Sequence, residues 1–294
     1  MAVARLSTIT ALCVAGAALA GCDGGPGDPL ATPPADLYGS GARLHELLGP
    51  ATDWLDPANP DGVNCVGIPV DRKVCVTGVT ITAVDEYDET SDGAVGNLYV
   101  QDGQEGTPPD PTLYPDYPGY TGITVYNPGF SPPDLRVIPG DVMDMLGTLM
   151  EFPGPSGSEF DFCRTLPEIG GAMEFRFEGA NAEPVTIDVG DLASYDDARK
   201  WIGVLVTIEN VTLLQGAYES DNGRYSFRID AAPGLSGSEI PTITNELYDL
   251  KDFNEEEGSP PLLDEGDQIP SVTGIVTYFF GVHIAPRSVA DFVL

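Results

Sequence analysis

The stretch that decides the fold is Val74–Asp102, VCVTGVTITAVDEYDETSDGAVGNLYVQD. It opens with β-branched residues, Val74 to Val84, interrupted by Gly78, and closes with the short apolar run Asn97 to Asp102. Valine and threonine at this density suit a pleated, half-buried surface, and a glycine inside such a run marks a bend or bulge. Between the two runs lies an acidic loop, Asp85 to Gly93. The spacing predicts two paired strands, Lys73–Val84 and Asn97–Asp102.

Three further strands are expected downstream. Thr121–Tyr126 (TGITVY) follows a loop rich in proline and tyrosine, Asp141–Phe152 (DVMDMLGTLMEF) carries Gly147 inside it, and Ser158–Arg164 (SEFDFCR) alternates. Five short strands, with a glycine in the first and a Gly-Asp turn before the fourth, are the pattern of a small Greek-key barrel. The residues Gly78, Tyr99-Val100-Gln101-Asp102, Gly122 to Tyr126, Gly140-Asp141 and Gly147 resemble the OB-fold domains of secreted bacterial proteins.

The plan then repeats. Trp201–Asn210 (WIGVLVTIEN) places Gly203 where the first copy has Gly78, Tyr225–Asp230 parallels Leu98–Asp102, and Gly266-Asp267 and Gly274 parallel Gly140-Asp141 and Gly147. The interval from Gly78 to Gly140 is 62 residues and that from Gly203 to Gly266 is 63. Ordered landmarks at near-equal spacing imply duplication. The expected fold is therefore all-β, two tandem OB-like five-stranded barrels over residues 36–180 and 181–294, with short helices in the connections. Asp36–Leu48 and Val189–Lys200 are the helical candidates, and Met173–Glu178 and Val185–Val189 are expected strands in the bridge between the barrels.

The chain opens on a targeting pattern. Arg5 precedes the apolar run Ile9–Ala20, and Leu19-Ala20-Gly21-Cys22 follows it. This resembles the lipobox of bacterial lipoproteins, in which the cysteine thiol takes a diacylglyceryl group and becomes the new N-terminus. The resemblance makes residues 1–21 a signal peptide and Cys22 the lipidated residue, with residues 22–35 a Gly/Pro tether. Two or three acyl chains give a stable membrane anchor. With the two barrels, the pattern resembles a group of surface lipoproteins from myxobacteria and related Gram-negative bacteria. The resemblance implies a cell-envelope location outside the cytoplasm, with the outer membrane or cell surface favoured, and brings no catalytic residue with it. The close Pro286-Arg287-Ser288…Asp291 resembles that of OB-type domains found beside extracellular nucleases.

Charge narrows the partners. Thirteen basic residues face 46 acidic ones, a formal net charge of −33. Such a surface repels phosphate backbones, so nucleic acid is an unlikely partner despite the fold. A glycan or a protein is the expected ligand, and the chain is expected to be a monomer.

Cysteine arithmetic leaves Cys65, Cys75 and Cys163 after the signal and the lipidated residue are set aside. Cys65 and Cys75 flank a short turn and are the favoured disulfide, with Cys75–Cys163 as the competing pair.

Two stretches could bind. In the acidic loop, Asp88, Thr90 and Asp92 alternate before Gly93 as in a calcium loop, with Asp85 and Asp102 as completing ligands. The chain lacks the position-twelve glutamate of an EF-hand, and a solvated hairpin loop is the competing reading. In the second stretch, Tyr114, Tyr117 and Tyr120 recur every third residue among prolines, which favours an extended polyproline geometry that could stack on a sugar. The competing reading is a loop folded back on its own barrel. No GxSxG, HExxH or P-loop pattern is present, and His283 in its apolar strand reads as a core residue. The sequence therefore points to a non-enzymatic binding module. A calcium-stabilised adhesion module is the alternative, and a hydrolase a remote one.

Overall fold

The computed structural model describes residues 41–50, 68, 71–87, 96–103, 108–126, 137–161, 164–220, 223–256 and 258–294. The expected signal peptide, Cys22 and the tether lie outside them. Five strands form the first unit: β1 (Arg72–Val84), β2 (Leu98–Asp102), β3 (Gly122–Val125), β4 (Asp141–Phe152) and β5 (Leu166–Gly179). They close a barrel in the order β1-β2-β3-β5-β4, with β3 and β5 parallel and the other pairs antiparallel. This is the expected OB arrangement.

Gly78 sets the bend of β1. Its φ is +64°, and the pairing with β4 slips by one residue between Val76 and Val79. A bulge of this kind lets one strand pair with β4 on one side and β2 on the other. Val74 and Val76 before it, and Val79 and Ile81 after it, all enter the same core with Ile123, Val125, Met143, Met145 and Ile169. A short helix, α1 (Leu44–Leu47), closes one end of that core with Leu44 and Leu47. Burying each leucine contributes about 1.5–3 kcal/mol.

The fifth strand differs from expectation. The described residues of Ser158–Arg164 are not a strand: residues 153–161 run through bends and turns, and Phe160 leaves its own barrel to pack in the second core. The fifth strand is Leu166–Gly179, which absorbs the stretch Met173–Glu178 expected in the bridge. Gly170-Gly171 disguises it. Gly171 stands opposite Gly147 where β4 and β5 cross, and a Cβ on Gly171 would lie 2.6 Å from the Cα of Gly147. The glycines are there because the backbones nearly touch.

The second unit contains β6 (Val185–Ile187), α2 (Tyr195–Ala198), β7 (Leu205–Thr212), β8 (Tyr218–Glu219), β9 (Tyr225–Arg228) and β10 (Thr242–Thr244). α3 (Leu250–Asn254), β11 (Gln268–Tyr278), β12 (Val282–Ala285) and β13 (Phe292–Val293) complete it. The sheet runs β6-β7-β11-β12-β10-β9-β8, with β13 on β11. Five of these strands, β7, β9, β10, β11 and β12, repeat the neighbour order of the first barrel, including the parallel pair β10–β12. The last seam is narrow. One bridge, Leu213 to Ile229, joins the ends of β7 and β9, flanked by Leu214 N–H to Arg228 C=O at 2.9 Å and Asp230 N–H to Thr212 C=O at 3.0 Å.

Register corrects one landmark of the repeat. Val74 pairs with Gly147 and Val206 pairs with Gly274, so the counterpart of Gly78 is four residues past Val206. That residue is Asn210, whose φ is +56°. Asparagine tolerates the left-handed region better than most residues, which lets it stand in for glycine. Gly203 does a different job. Its φ is +84°, and a Cβ there would meet the backbone of Ile123 and Gly122 at 2.5–2.6 Å. The two barrels touch backbone to backbone at Gly122 and Gly203.

Around that contact the outer face of β1 and β2 is covered. Ala83 and Tyr99 form one buried cluster with Leu205, Leu247, Ile275 and Ala285. The Gln101 Oε1 accepts from Leu205 N–H at 3.0 Å, and the Tyr99 hydroxyl donates to Glu246 at 2.8 Å. Arg287 grips Asp291 with its Nη2 at 2.7 Å and donates from Nη1 to the Thr82 carbonyl at 3.2 Å.

Candidate functional site

The site grows from the last residue of β2. Asp102 turns its carboxylate under α1, accepting from the N–H of Leu44 at 2.8 Å and of His45 at 3.1 Å. Its Oδ2 also lies 2.7 Å from His45 Nδ1. A carboxylate can only accept here, so the Nδ1 of His45 carries the proton of this bond. Arg43 N–H donates to Glu46 at 2.7 Å, and Arg43 Nη1 donates to the Gly78 carbonyl at 2.7 Å. α1 is thus tied to β1 and β2 by charge-assisted bonds, each shorter and stronger than a neutral one.

Against His45 stands the tyrosine loop. It is a succession of tight turns rather than the extended polyproline form. Asp110 accepts from Thr112 N–H at 2.8 Å, Tyr117 N–H donates to the Tyr114 carbonyl at 3.2 Å, and Gly119 N–H donates to the Asp116 carbonyl at 2.7 Å. The local i to i+3 bonds take up backbone groups that an extended chain would leave to solvent. Successive turns bring tyrosines spaced by three to one side. The Tyr114 and Tyr117 rings meet His45 edge-on, with centroids 4.9 and 5.5 Å away. Tyr120, with φ +61°, pins the loop to the second unit through its N–H to the Lys200 carbonyl at 2.6 Å.

The result is a pocket of about 190 Å³ walled by His45, Tyr114, Tyr117 and Tyr120, with Leu48, Pro50 and Asp116 at its edge. It is smaller than the roughly 300–1,000 Å³ of drug-sized sites, and so suited to a single ring or compact end group. Burial holds all three phenols above their ordinary range. Tyr120 is pushed up to about 12 by desolvation and then by Asp116, and Tyr114 and Tyr117 are raised by desolvation and by Glu46 and Asp102 respectively. The phenols are therefore neutral at physiological pH, and each offers an O–H that can donate or accept.

The structure brings Tyr114, Tyr117 and Tyr120 together and adds His45, which lies within the expected helix Asp36–Leu48. No short-range spacing pointed to the His45–Asp102 pair, because 57 residues separate its members. Only the barrel, which returns the end of β2 beneath the preceding helix, makes them neighbours.

The calcium ligands are divided. Asp88, Thr90 and Asp92 lie outside the described residues. Asp85 follows the Val84–Leu98 end of the β1–β2 ladder, and Asp102 sits at the Val79 end. By strand rise this separates them by roughly 16 Å, whereas calcium holds its oxygens at about 2.3–2.6 Å, so Asp85 and Asp102 do not share an ion. Asp102 is committed to α1 instead. Among the described residues no group of three or more metal-ligating side chains converges. Cys75 is disulfide-bonded. Both candidate partners, Cys65 and Cys163, lie outside the described residues.

His283 sits between the Thr242 hydroxyl, 2.6 Å from Nδ1, and the Phe279 carbonyl, 3.1 Å from Nε2. Burial, then Arg224, lower it to about 4, so it is a neutral ring in a sheet. No family model matches the chain, and none of the curated proteins is similar to it.

Proposed function

We propose that the chain is a lipid-anchored cell-envelope protein, held outside the cytoplasm at Cys22, that works as a non-enzymatic binding module. Its tyrosine pocket takes the end group of an oligosaccharide or of a protein partner. The observation that carries the reading is the assembly of Tyr114, Tyr117 and Tyr120 around His45 in one pocket. Three rings there leave flat apolar surface and hydroxyls together, the combination that suits a partly polar ring.

The first barrel's own fold narrows the mode of binding. OB barrels commonly bind oligomers along strands two and three. Here Tyr99 and Gln101 on β2 are taken up by contacts to the second unit, which leaves the loop pocket as the more open route. Nucleic acid stays disfavoured by the net charge of −33, and membrane contact is through the lipid anchor alone. The chain acts as a monomer in this reading.

The test is a binding screen of the full chain against oligosaccharides and envelope proteins, repeated with Tyr117→Ala. Binding should fall by at least about tenfold, a loss of about 1.4 kcal/mol, while the melting midpoint stays within a few degrees. Ligands that bind both proteins equally would place the site elsewhere.

A further inference from the structure

Eleven of the described residues line the tyrosine pocket, and none of them is a lysine or an arginine. Tyr114 stands in the field of Glu46, Tyr117 in the opposed fields of Asp102 and Arg43, and Tyr120 in those of Asp116 and Arg199. The cations nearby are turned to other tasks. Arg43 donates to the Gly78 carbonyl, and Arg199 is buried against Glu151 at 2.7 Å. Lys200 reaches toward Asp191 at 3.6 Å and lies 5.1 Å from the centre of the Trp201 ring.

An aromatic wall presents a negative quadrupole face, and the surrounding carboxylates add a field of the same sign. Among the described residues no lysine or arginine lines the pocket itself, and the Asp116 carboxylate stands at its edge, so the aromatic wall is open to a cation from outside. Its lining sets phenol carbons, Leu48, Pro50 and Pro115 beside three hydroxyls and the Asp116 carboxylate, fewer oxygens than the six to eight that calcium takes. A bare metal ion or a primary ammonium, both strongly hydrated, would lose more than it gained on entry. A cation whose charge is spread over methyl groups meets no such barrier, since it touches ring faces and apolar carbons with the same surface.

We propose that the pocket binds a methylated ammonium group, the chemistry shared by choline and trimethylated amines. The inference rests on the pocket being the binding site, as proposed above, and adds the class of its ligand. Tyr114, Tyr117 and Tyr120 supply the aromatic faces, and Asp116 at the edge neutralises the charge. His45, fixed by Asp102, holds the Tyr114 and Tyr117 rings in position.

The experiment is calorimetric titration of the full chain, in a sugar-headgroup detergent that carries no choline. The probes are tetramethylammonium, choline and dimethylbutanol, the neutral carbon isostere of choline. The charged probes should bind about tenfold or more tighter than the isostere, in line with a desolvated cation–π contact. Tyr117→Ala should abolish this binding, Tyr117→Phe should keep it, and Asp116→Asn should weaken it by a few fold. The Phe variant retains the ring on His45, so it separates loss of the cage from a loop that fails to form. Vesicles with phosphocholine headgroups, compared with free choline, show whether the group is taken from a larger ligand or alone.

Equal affinity for choline and its isostere would overturn the cation and leave only an apolar pocket. Ammonium binding untouched by Tyr117→Ala would overturn the site. If no ammonium binds while an oligosaccharide or protein binds in a Tyr117-dependent way, the inference falls and the binding module stands. If no ligand of any kind depends on Tyr117, both fall.

Discussion

The two barrels share a strand order and differ in how they are finished. In the first, β1 and β2 are joined by a ladder of five residue pairs, and the open end is closed by α1, held from below by Asp102. In the second, the corresponding seam is a single bridge between Leu213 and Ile229. Its core is filled by large side chains, Trp201, Tyr225, Phe227 and Tyr278, and by Phe160 borrowed from the first barrel. One barrel is held by backbone pairing and charge, the other by aromatic packing. The contrast teaches that a duplicated fold can conserve topology while the energy that maintains it moves to different contacts.

The contrast can be broken most severely where the barrels meet. Gly203→Val would place a branched side chain on the backbone of Gly122 and Ile123, at a φ that β-branched residues avoid. The expected cost is about 4 kcal/mol, read in chemical denaturation, with the two barrels unfolding in separate transitions. A cost below about 1 kcal/mol would mean that the barrels can part without consequence.

Asp102→Ala strikes the first barrel's cap. It removes the acceptor from two backbone N–H groups and from His45, for an expected loss of about 2–3 kcal/mol. The pocket should loosen with it, seen as weaker ligand binding, whereas a variant that keeps native affinity would show that His45 needs no support.

Glu168 on β5 offers a pH test. Burial raises its carboxyl to about 7, so the folded state holds a proton that the unfolded state releases near 4.5. The unfolded state therefore binds fewer protons between those values, and stability falls as pH rises from about 4.5 to about 7. Glu168→Gln should remove this slope and stabilise the protein above pH 7, by at most about 3 kcal/mol at 1.36 kcal/mol per pH unit. A denaturation series in which wild type and variant keep parallel pH profiles would place the titration elsewhere.

The smallest effect is in exchange rates. The amides of Leu214 and Asp230, which flank the single bridge, should exchange with deuterium faster than those of Gln101 and Thr80 in the β1–β2 ladder. Equal protection would mean that the second seam is as firm as the first.

Much of this architecture was legible beforehand, because β-branched runs bounded by Gly-Asp turns follow directly from pleated geometry. β4 emerged at Asp141–Phe152, as expected. The parts that were not legible have a common cause. Gly170-Gly171 looks like a breaker in one dimension and is a close crossing in three, and Gly203 mimics a bulge glycine while serving a contact with Gly122. The tyrosine spacing was visible, but its turn geometry was not, since prolines at 111, 115 and 118 suit either form. His45 and Asp102 are a product of closure, and nothing local in either segment announces the other.

The clasp of Arg287 has a consequence for the order in which the molecule can be built. Its guanidinium bonds to Thr82 on β1, so a contact on the first barrel waits for a residue made 205 positions later. As the chain emerges from its N-terminal side, the first barrel can close on itself once β5 is out, yet Ala83 and Tyr99 stay bare until the second unit arrives. The nascent molecule therefore passes through a stage with a sticky flank, and the late-emerging Arg287 acts as the latch that ends it.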